Sequence, residues 1–172
     1  ATAWFADLDA TAQLPGLDPA TWLSADETSA LLAALPRLVA LGQQLAVGPV
    51  PVTLLHGDLH VGNVAIGRDG PLLYDWTDAC LGHPFFDLVT ALHGTDETRR
   101  RLRDAYLSGW ADHAAPQQLA ETWRAAEILA PLHHAVSYRA IAAACAPPVD
   151  AEMATATAFW LRSVLAALNA TA

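Results

Sequence analysis

The sequence predicts a mostly helical α+β fold with one small β-hairpin. Three observations predict it. Apolar residues recur at helical spacing through residues 31–45, 84–93, 96–114, 116–145 and 150–168. Two short apolar runs, Val64 to Ile66 and Leu72 to Tyr74, flank the turn segment Gly67-Arg68-Asp69-Gly70-Pro71, which is a hairpin signal. Proline and glycine pairs punctuate the rest and leave no internal repeat and no low-complexity linker. At 172 residues, 53% hydrophobic and 16% charged, the chain is long and apolar enough for one globular domain spanning residues 1–172.

The elements follow in order. Trp4, Phe5 and Leu8 suggest a short amphipathic piece, and Pro15-Gly16 and Asp18-Pro19 mark turns. Ser24-Ala25-Asp26-Glu27 reads as a capping box: the Ser24 hydroxyl accepts from the amide three residues on, and Glu27 reaches back. The helix it opens carries Leu31, Leu32, Leu35, Leu38, Val39 and Leu45. Pro36 should kink it, because proline removes a donor and clashes with the preceding turn. Gly48-Pro49 and Pro51 end it. Val52 to Leu55 reads as a buried strand leading into a polar loop, His56 to Asn63. After the hairpin, Pro84 suits the first position of a helix with Phe85, Leu88, Val89 and Leu92 on one face, to about His93. The next helix runs from about Asp96 to Ala114, with Asp96 and Glu97 in its first turn favouring the helix dipole, and Leu102, Tyr106 and Trp110 in a stripe. Arg99 to Arg103 reads as a solvated face of that helix. Pro116 starts another helix, Pro131 should interrupt it, and a further segment reaches about Cys145. Pro147-Pro148 is a break, and Asp150 caps the last helix, whose face is Met153, Phe159 or Trp160, Leu161, Val164, Leu165 and Leu168.

Charge and cysteine usage narrow the function classes. A net charge of −9 argues against nucleic acid as a partner and is mildly favourable for a cationic ligand. Two cysteines, Cys80 and Cys145, make no disulfide framework, so a reduced, cytoplasmic setting is expected. The start ATAWFADLDA lacks the basic segment of a signal peptide, and no apolar run is expected to span a bilayer.

Residues 52–87 carry the chemistry. The loop holds His56, Asp58, His60 and Asn63; the hairpin returns to Asp75, with Asp78 three residues on. Neighbouring hairpin arms bring Asn63 and Asp75 together at the open end. An amide oxygen and a carboxylate suit a hard cation such as Mg2+ on a nucleotide, and a second carboxylate, Asp58, can face the nucleophile.

His56-Gly57-Asp58-Leu59-His60 through Asn63, then Tyr74-Asp75-Trp76, then Gly82-His83-Pro84-Phe85-Phe86-Asp87-Leu88, resembles the catalytic core of the aminoglycoside phosphotransferase and choline kinase group, whose fold is protein-kinase-like. The three linked motifs cover only the central portion residue by residue. The resemblance implies the C-terminal, catalytic and acceptor-binding lobe of a kinase-like fold. Its implied activity is ATP- and Mg-dependent phosphoryl transfer to a hydroxyl of a small molecule. Asp58 would orient the acceptor hydroxyl and take its proton; Asn63 and Asp75 would hold the metal and, through it, the nucleotide. His56 and His60 would support the loop, and Asp78 would be a second support or a surface residue. Asp87, surrounded in sequence by Phe85, Phe86, Leu88 and Val89, would be buried and receive backbone amides of the catalytic loop. The acceptor site is implied near Trp123, Glu127, His133, His134, Tyr138 and Arg139. There acidic groups and an aromatic face would suit a cation, although Trp and Tyr at helical spacing are more often core residues.

One departure stands out. All nine basic residues are arginine, so the strand lysine that kinase-like enzymes set on the nucleotide phosphates is missing. The expectation is that the nucleotide-clamping N-terminal lobe lies outside this chain and that the chain alone does not turn over. Two rivals remain: a non-catalytic module using the lobe's helical groove for a ligand or partner, and a zinc-dependent hydrolase built on HGDLH.

Overall fold

A computed structural model describes residues 22–92, 94–145 and 149–170, with the side chains of 149–152 outside that description. The readings made for residues 1–21, for His93 and for Pro147-Pro148 therefore lie outside the described residues. The elements are helix α1 (Ala25–Ala46), strand β1 (Thr53–Leu55), a 3-10 turn (Val61–Asn63), β2 (Val64–Gly67), β3 (Gly70–Leu73), β4 (Cys80–Gly82), α2 (Phe85–Ala91), α3 (Asp96–Ser108), α4 (Pro116–Ala144) and α5 (Val149–Ala170). The fold is mostly helical with two small antiparallel sheets, β1–β4 and β2–β3.

Local chemistry explains most ends. Ser24 and Glu27 form the reciprocal capping box: Glu27 N donates to Ser24 Oγ at 3.1 Å and Ser24 N donates to Glu27 Oε2 at 2.7 Å. Thr95 caps α3 by accepting from Thr98 N at 3.2 Å. Helix α3 stops at Ser108 rather than near Ala114, because Gly109 opens a run of turns through His113. Pro131 does not interrupt α4, which is continuous from Pro116 to Ala144. Burial overrides the local cost of about 3 kcal/mol: Leu129, Ala130, Pro131, His134 and Ala135 around the site are all buried. Pro36 likewise lies inside one continuous α1.

Two strand expectations need correction. The segment at 52–55 is half-solvated: Leu55 is buried, whereas Val52 and Leu54 are exposed. A fourth strand pairs with it, Leu54 opposite Leu81 and Leu55 opposite Cys80. The hairpin's second strand ends at Leu73, one residue before Tyr74. A further expectation, that no segment is long and apolar enough to cross a bilayer, is also corrected. Helix α1 has 22 residues, and its most apolar 18-residue stretch averages a hydropathy of 1.2. Leu31, Leu38 and Leu45 of that helix are buried in the folded chain.

The described residues group into two compact units, one up to Gln43 and from Pro131 on, the other from Gln44 to Ala130. In the first, Arg162 joins the capping box. Its Nε donates to Glu27 Oε1 at 2.7 Å and its Nη2 to Trp22 O at 2.5 Å. The buried face of α5 is Ala154, Thr157, Ala158, Leu161, Val164 and Leu168. Trp160, not the exposed Phe159, turns inward and stacks on His134 with ring centroids 4.5 Å apart. The capping expectation for Asp150 concerns a side chain outside the described ones.

The second unit is built around Phe85, fully buried in the first turn of α2. Val50, Leu119, Trp123 and Ala126 complete its buried cluster. Tyr106, Trp110 and Trp123 surround the Phe85 ring at 5.6–5.9 Å, separations at which tilted and edge-on aromatic pairs attract. Tyr106 adds a hydrogen bond from its hydroxyl to Pro84 O at 3.0 Å. Thus α3 and the first half of α4 clamp α2, and α2 in turn holds the polar loop.

Candidate active site

The loop is built against two supports. The first is Asp87 in the opening turn of α2. Its Oδ2 accepts from His56 N at 2.6 Å and its Oδ1 from Gly57 N at 3.0 Å. Asp87 is half-buried rather than buried, and bonds to a charged acceptor are among the stronger ones. The second support is the end of the hairpin. His56, 2% exposed, donates from Nε2 to Tyr74 O at 2.8 Å. A carbonyl only accepts, so this bond fixes the ring proton on Nε2. His56 Nδ1 is buried without a hydrogen-bond partner among the described residues. The Trp76 ring covers the imidazole at 4.8 Å.

Gly57 takes φ +86°, and a Cβ there would lie 2.0 Å from Asp78 O. The loop therefore passes directly against the backbone beyond the hairpin, and only glycine fits. Asp78 contributes this backbone approach; its side chain is exposed and makes no hydrogen bond among the described residues.

Asp58 and Asn63 meet. Asn63 is buried, and its Nδ2 donates to Asp58 O at 2.9 Å and Asp58 Oδ2 at 3.4 Å. Both partners only accept, so the amide nitrogen must face Asp58 and Asn63 Oδ1 must face away. His60 lies on the same carboxylate. Gly62 N donates to His60 Nδ1 at 3.0 Å, which leaves the ring proton on Nε2, 3.5 Å from Asp58 Oδ2.

Asp75 is reached through the hairpin register. Val64 pairs with Leu73, and Tyr74 N continues the ladder to Asn63 O at 3.2 Å. Asp75 is thus one residue beyond the cross-strand neighbour of Asn63. Its φ of +61° is left-handed, and among the described residues it is the one non-glycine with positive φ. Such strain costs about 1–3 kcal/mol and gathers at functional sites. Asp75 Oδ1 accepts from Thr77 Oγ1 at 2.9 Å. Three side-chain oxygens consequently carry no hydrogen bond from the described residues: Asp58 Oδ1, Asn63 Oδ1 and Asp75 Oδ2.

This donor set is all oxygen, two carboxylates and an amide, which suits magnesium and not zinc. Among the described residues, no group of three or more His, Cys, Asp or Glu is arranged to hold a metal. Two protein oxygens plus phosphate oxygens are the usual magnesium arrangement. The zinc alternative fares worse, because His60 Nδ1 already accepts from Gly62 N and the remaining lone pair of His56, on Nδ1, is buried.

His83, beyond β4, is buried and accepts from Phe85 N at 3.3 Å through Nδ1, capping α2. Burial pushes its pKa down to about 4.

The implied acceptor residues divide. Trp123 is 2% exposed and belongs to the Phe85 cluster. With half-buried Glu127 it also walls a groove of about 700 Å3 between α3 and the start of α4, floored by Leu107, Leu119 and Ala120. His134 is buried on Trp160 and Tyr138 is half-buried, both in the other unit. His133 and Arg139, in that unit too, are half-buried. The sequence reading gave no role to Tyr74 or Trp76, although an aromatic on each side of Asp75 was a visible signal.

No curated protein matches the chain at a significant level. The family model for the phosphotransferase enzyme family matches residues 1–129, which takes in the whole loop, the hairpin and Asp87. With three quarters of its length matched, and with the motif residues tied together as described, the chain belongs to the phosphotransferase enzyme family.

Proposed function

We propose that this chain is the catalytic and acceptor-binding lobe of an ATP- and Mg-dependent O-phosphotransferase acting on a small-molecule hydroxyl. The observation that carries the reading is the trio of uncommitted oxygens on Asp58, Asn63 and Asp75, each held by a hydrogen bond through its other polar atom.

Phosphoryl transfer passes through a loose transition state, so positioning and charge neutralisation matter more than strong base chemistry. Asp58 Oδ1 receives the acceptor's hydroxyl proton. Its Oδ2 is held by Asn63 and His60, so one oxygen is anchored and the other is left for substrate. Asn63 Oδ1 and Asp75 Oδ2 would hold the magnesium, which supplies charge neutralisation on the nucleotide phosphates. Asp87 fixes the peptide that precedes Asp58, and His56 ties that peptide to the carbonyl preceding Asp75. The two halves of the site are therefore tied together by hydrogen bonds.

The test uses the full-length gene product with ATP, Mg2+ and a panel of aminoglycosides, amino alcohols and sugars, followed by 31P NMR. The expected result is acceptor-dependent conversion of ATP to ADP with a new phosphomonoester signal. Loss of that conversion on adding chelator is part of the expectation. ATP consumption that yields only inorganic phosphate with every acceptor would contradict the reading.

A further inference from the structure

We infer that Tyr74 is a positioning residue that sets the separation of Asn63 and Asp75; the inference rests on the reading of those two side chains as magnesium ligands. Three bonds converge on it. Its carbonyl accepts from His56 Nε2 at 2.8 Å, its N–H donates to Asn63 O at 3.2 Å, and its phenol donates to Gly62 O. The first two use backbone and would survive any side chain. Only the phenol bond is specific to tyrosine.

That bond lands on the peptide unit Gly62–Asn63. The N–H of the same unit donates to His60 O at 2.9 Å. A planar peptide held at both its oxygen and its nitrogen fixes the Cα that follows, here the Cα of Asn63. No other hydrogen bond to that oxygen comes from the described residues: Val61 is 76% exposed, Gly62 is exposed, and the 3-10 turn is three residues long. Short 3-10 turns have poor hydrogen-bond geometry and gain from such a tie. At the other end, Tyr74 is covalently joined to Asp75, whose φ is already locked at +61°. One residue thus spans the two ligands, holding one through its phenol and the other through the chain. The ring is half-exposed, so burial does not account for it.

Removing the phenol oxygen frees the Gly62 carbonyl and spreads the positions open to Asn63 Oδ1. Residues that orient metal ligands typically change metal affinity by about 10- to 100-fold. A single solvent-facing hydrogen bond belongs at the low end, about 10-fold.

The experiment titrates Mn2+, the paramagnetic stand-in for Mg2+, into the full-length protein with the non-hydrolysable analogue adenylyl imidodiphosphate, read by electron paramagnetic resonance. Wild type, Tyr74→Phe, Asn63→Ala and the double variant are compared, with the unfolding temperature of each measured without metal. Tyr74→Phe is expected to raise the Mn2+ Kd about 10-fold with an unchanged unfolding temperature. In the double variant the Kd should match Asn63→Ala alone, because the phenol acts through Asn63. A wild-type Kd in Tyr74→Phe beside a weakened Asn63→Ala overturns the role of Tyr74 and leaves the metal ligands standing. Full additivity in the double variant, or a Kd change matched by a drop in unfolding temperature, also overturns it. An unchanged Kd in Asn63→Ala overturns the ligand reading, and the role of Tyr74 with it.

Discussion

Gly57 is the tightest point of the site. Its φ of +86° disfavours any L side chain, and an added Cβ would meet a backbone oxygen, which cannot swing away as a flexible side chain would. Gly57→Ala should therefore destabilise the protein by at least about 2 kcal/mol and shift the peptide that presents Asp58. Chemical denaturation with a parallel activity assay checks this; a variant as stable and active as wild type would refute the close approach. The neighbouring residues show what single positions reveal in a sequence. Asp58, Asn63 and Asp75 could be singled out from their types and spacing, and the structure adds the hydrogen bonds around them. The strain at Asp75 and the three bonds of Tyr74 were not, because they exist only once the hairpin register sets residue 74 against residues 62 and 63.

Helix α2 is only seven residues long, yet it supports the whole loop. Asp87 holds two loop amides, and its removal would leave both donors without an acceptor. Asp87→Ala should cost about 2–4 kcal/mol and lower kcat, because the loop that carries Asp58 loosens. A thermal unfolding curve indistinguishable from wild type would remove Asp87 from this role. The same helix makes stability depend on pH. Burial lowers the His83 pKa to about 4 from an ordinary value near 6.5. Below about pH 6.5 the unfolded chain binds a proton there and the folded chain does not. The contribution is therefore present above pH 6.5 and lost as pH falls toward 4, by up to about 3 kcal/mol. Wild type should lose that much more stability over this range than His83→Gln; parallel curves would contradict it. Elements defined by local chemistry were legible: the capping box at Ser24 and Glu27, and the hairpin turn at Gly67 to Pro71. Strand β4 was not, because Cys80-Leu81-Gly82 has no alternation of its own and exists through pairing with residues 53–55. Continuity through Pro131 was hidden for a similar reason, since burial of its neighbours outweighs a local penalty.

At the scale of the whole molecule, the chain groups into two compact units. The unit from Gln44 to Ala130 contains every residue of the proposed catalytic constellation and the aromatic cluster that backs it. The sequence favoured the core over the acceptor site for Trp123. The structure sets it in the core, where it also lines a groove, a double position that periodicity alone could not show. Membership of the phosphotransferase enzyme family places phosphoryl transfer at the centre of the account. Its most direct test is the kcat of Asp58→Asn in the full-length protein, with ATP and the best acceptor from the panel. The substitution keeps an oxygen and the shape but removes the proton acceptor. The account predicts a loss of about 10²- to 10⁴-fold in kcat with nucleotide affinity and unfolding temperature unchanged. Wild-type turnover in that variant would contradict it.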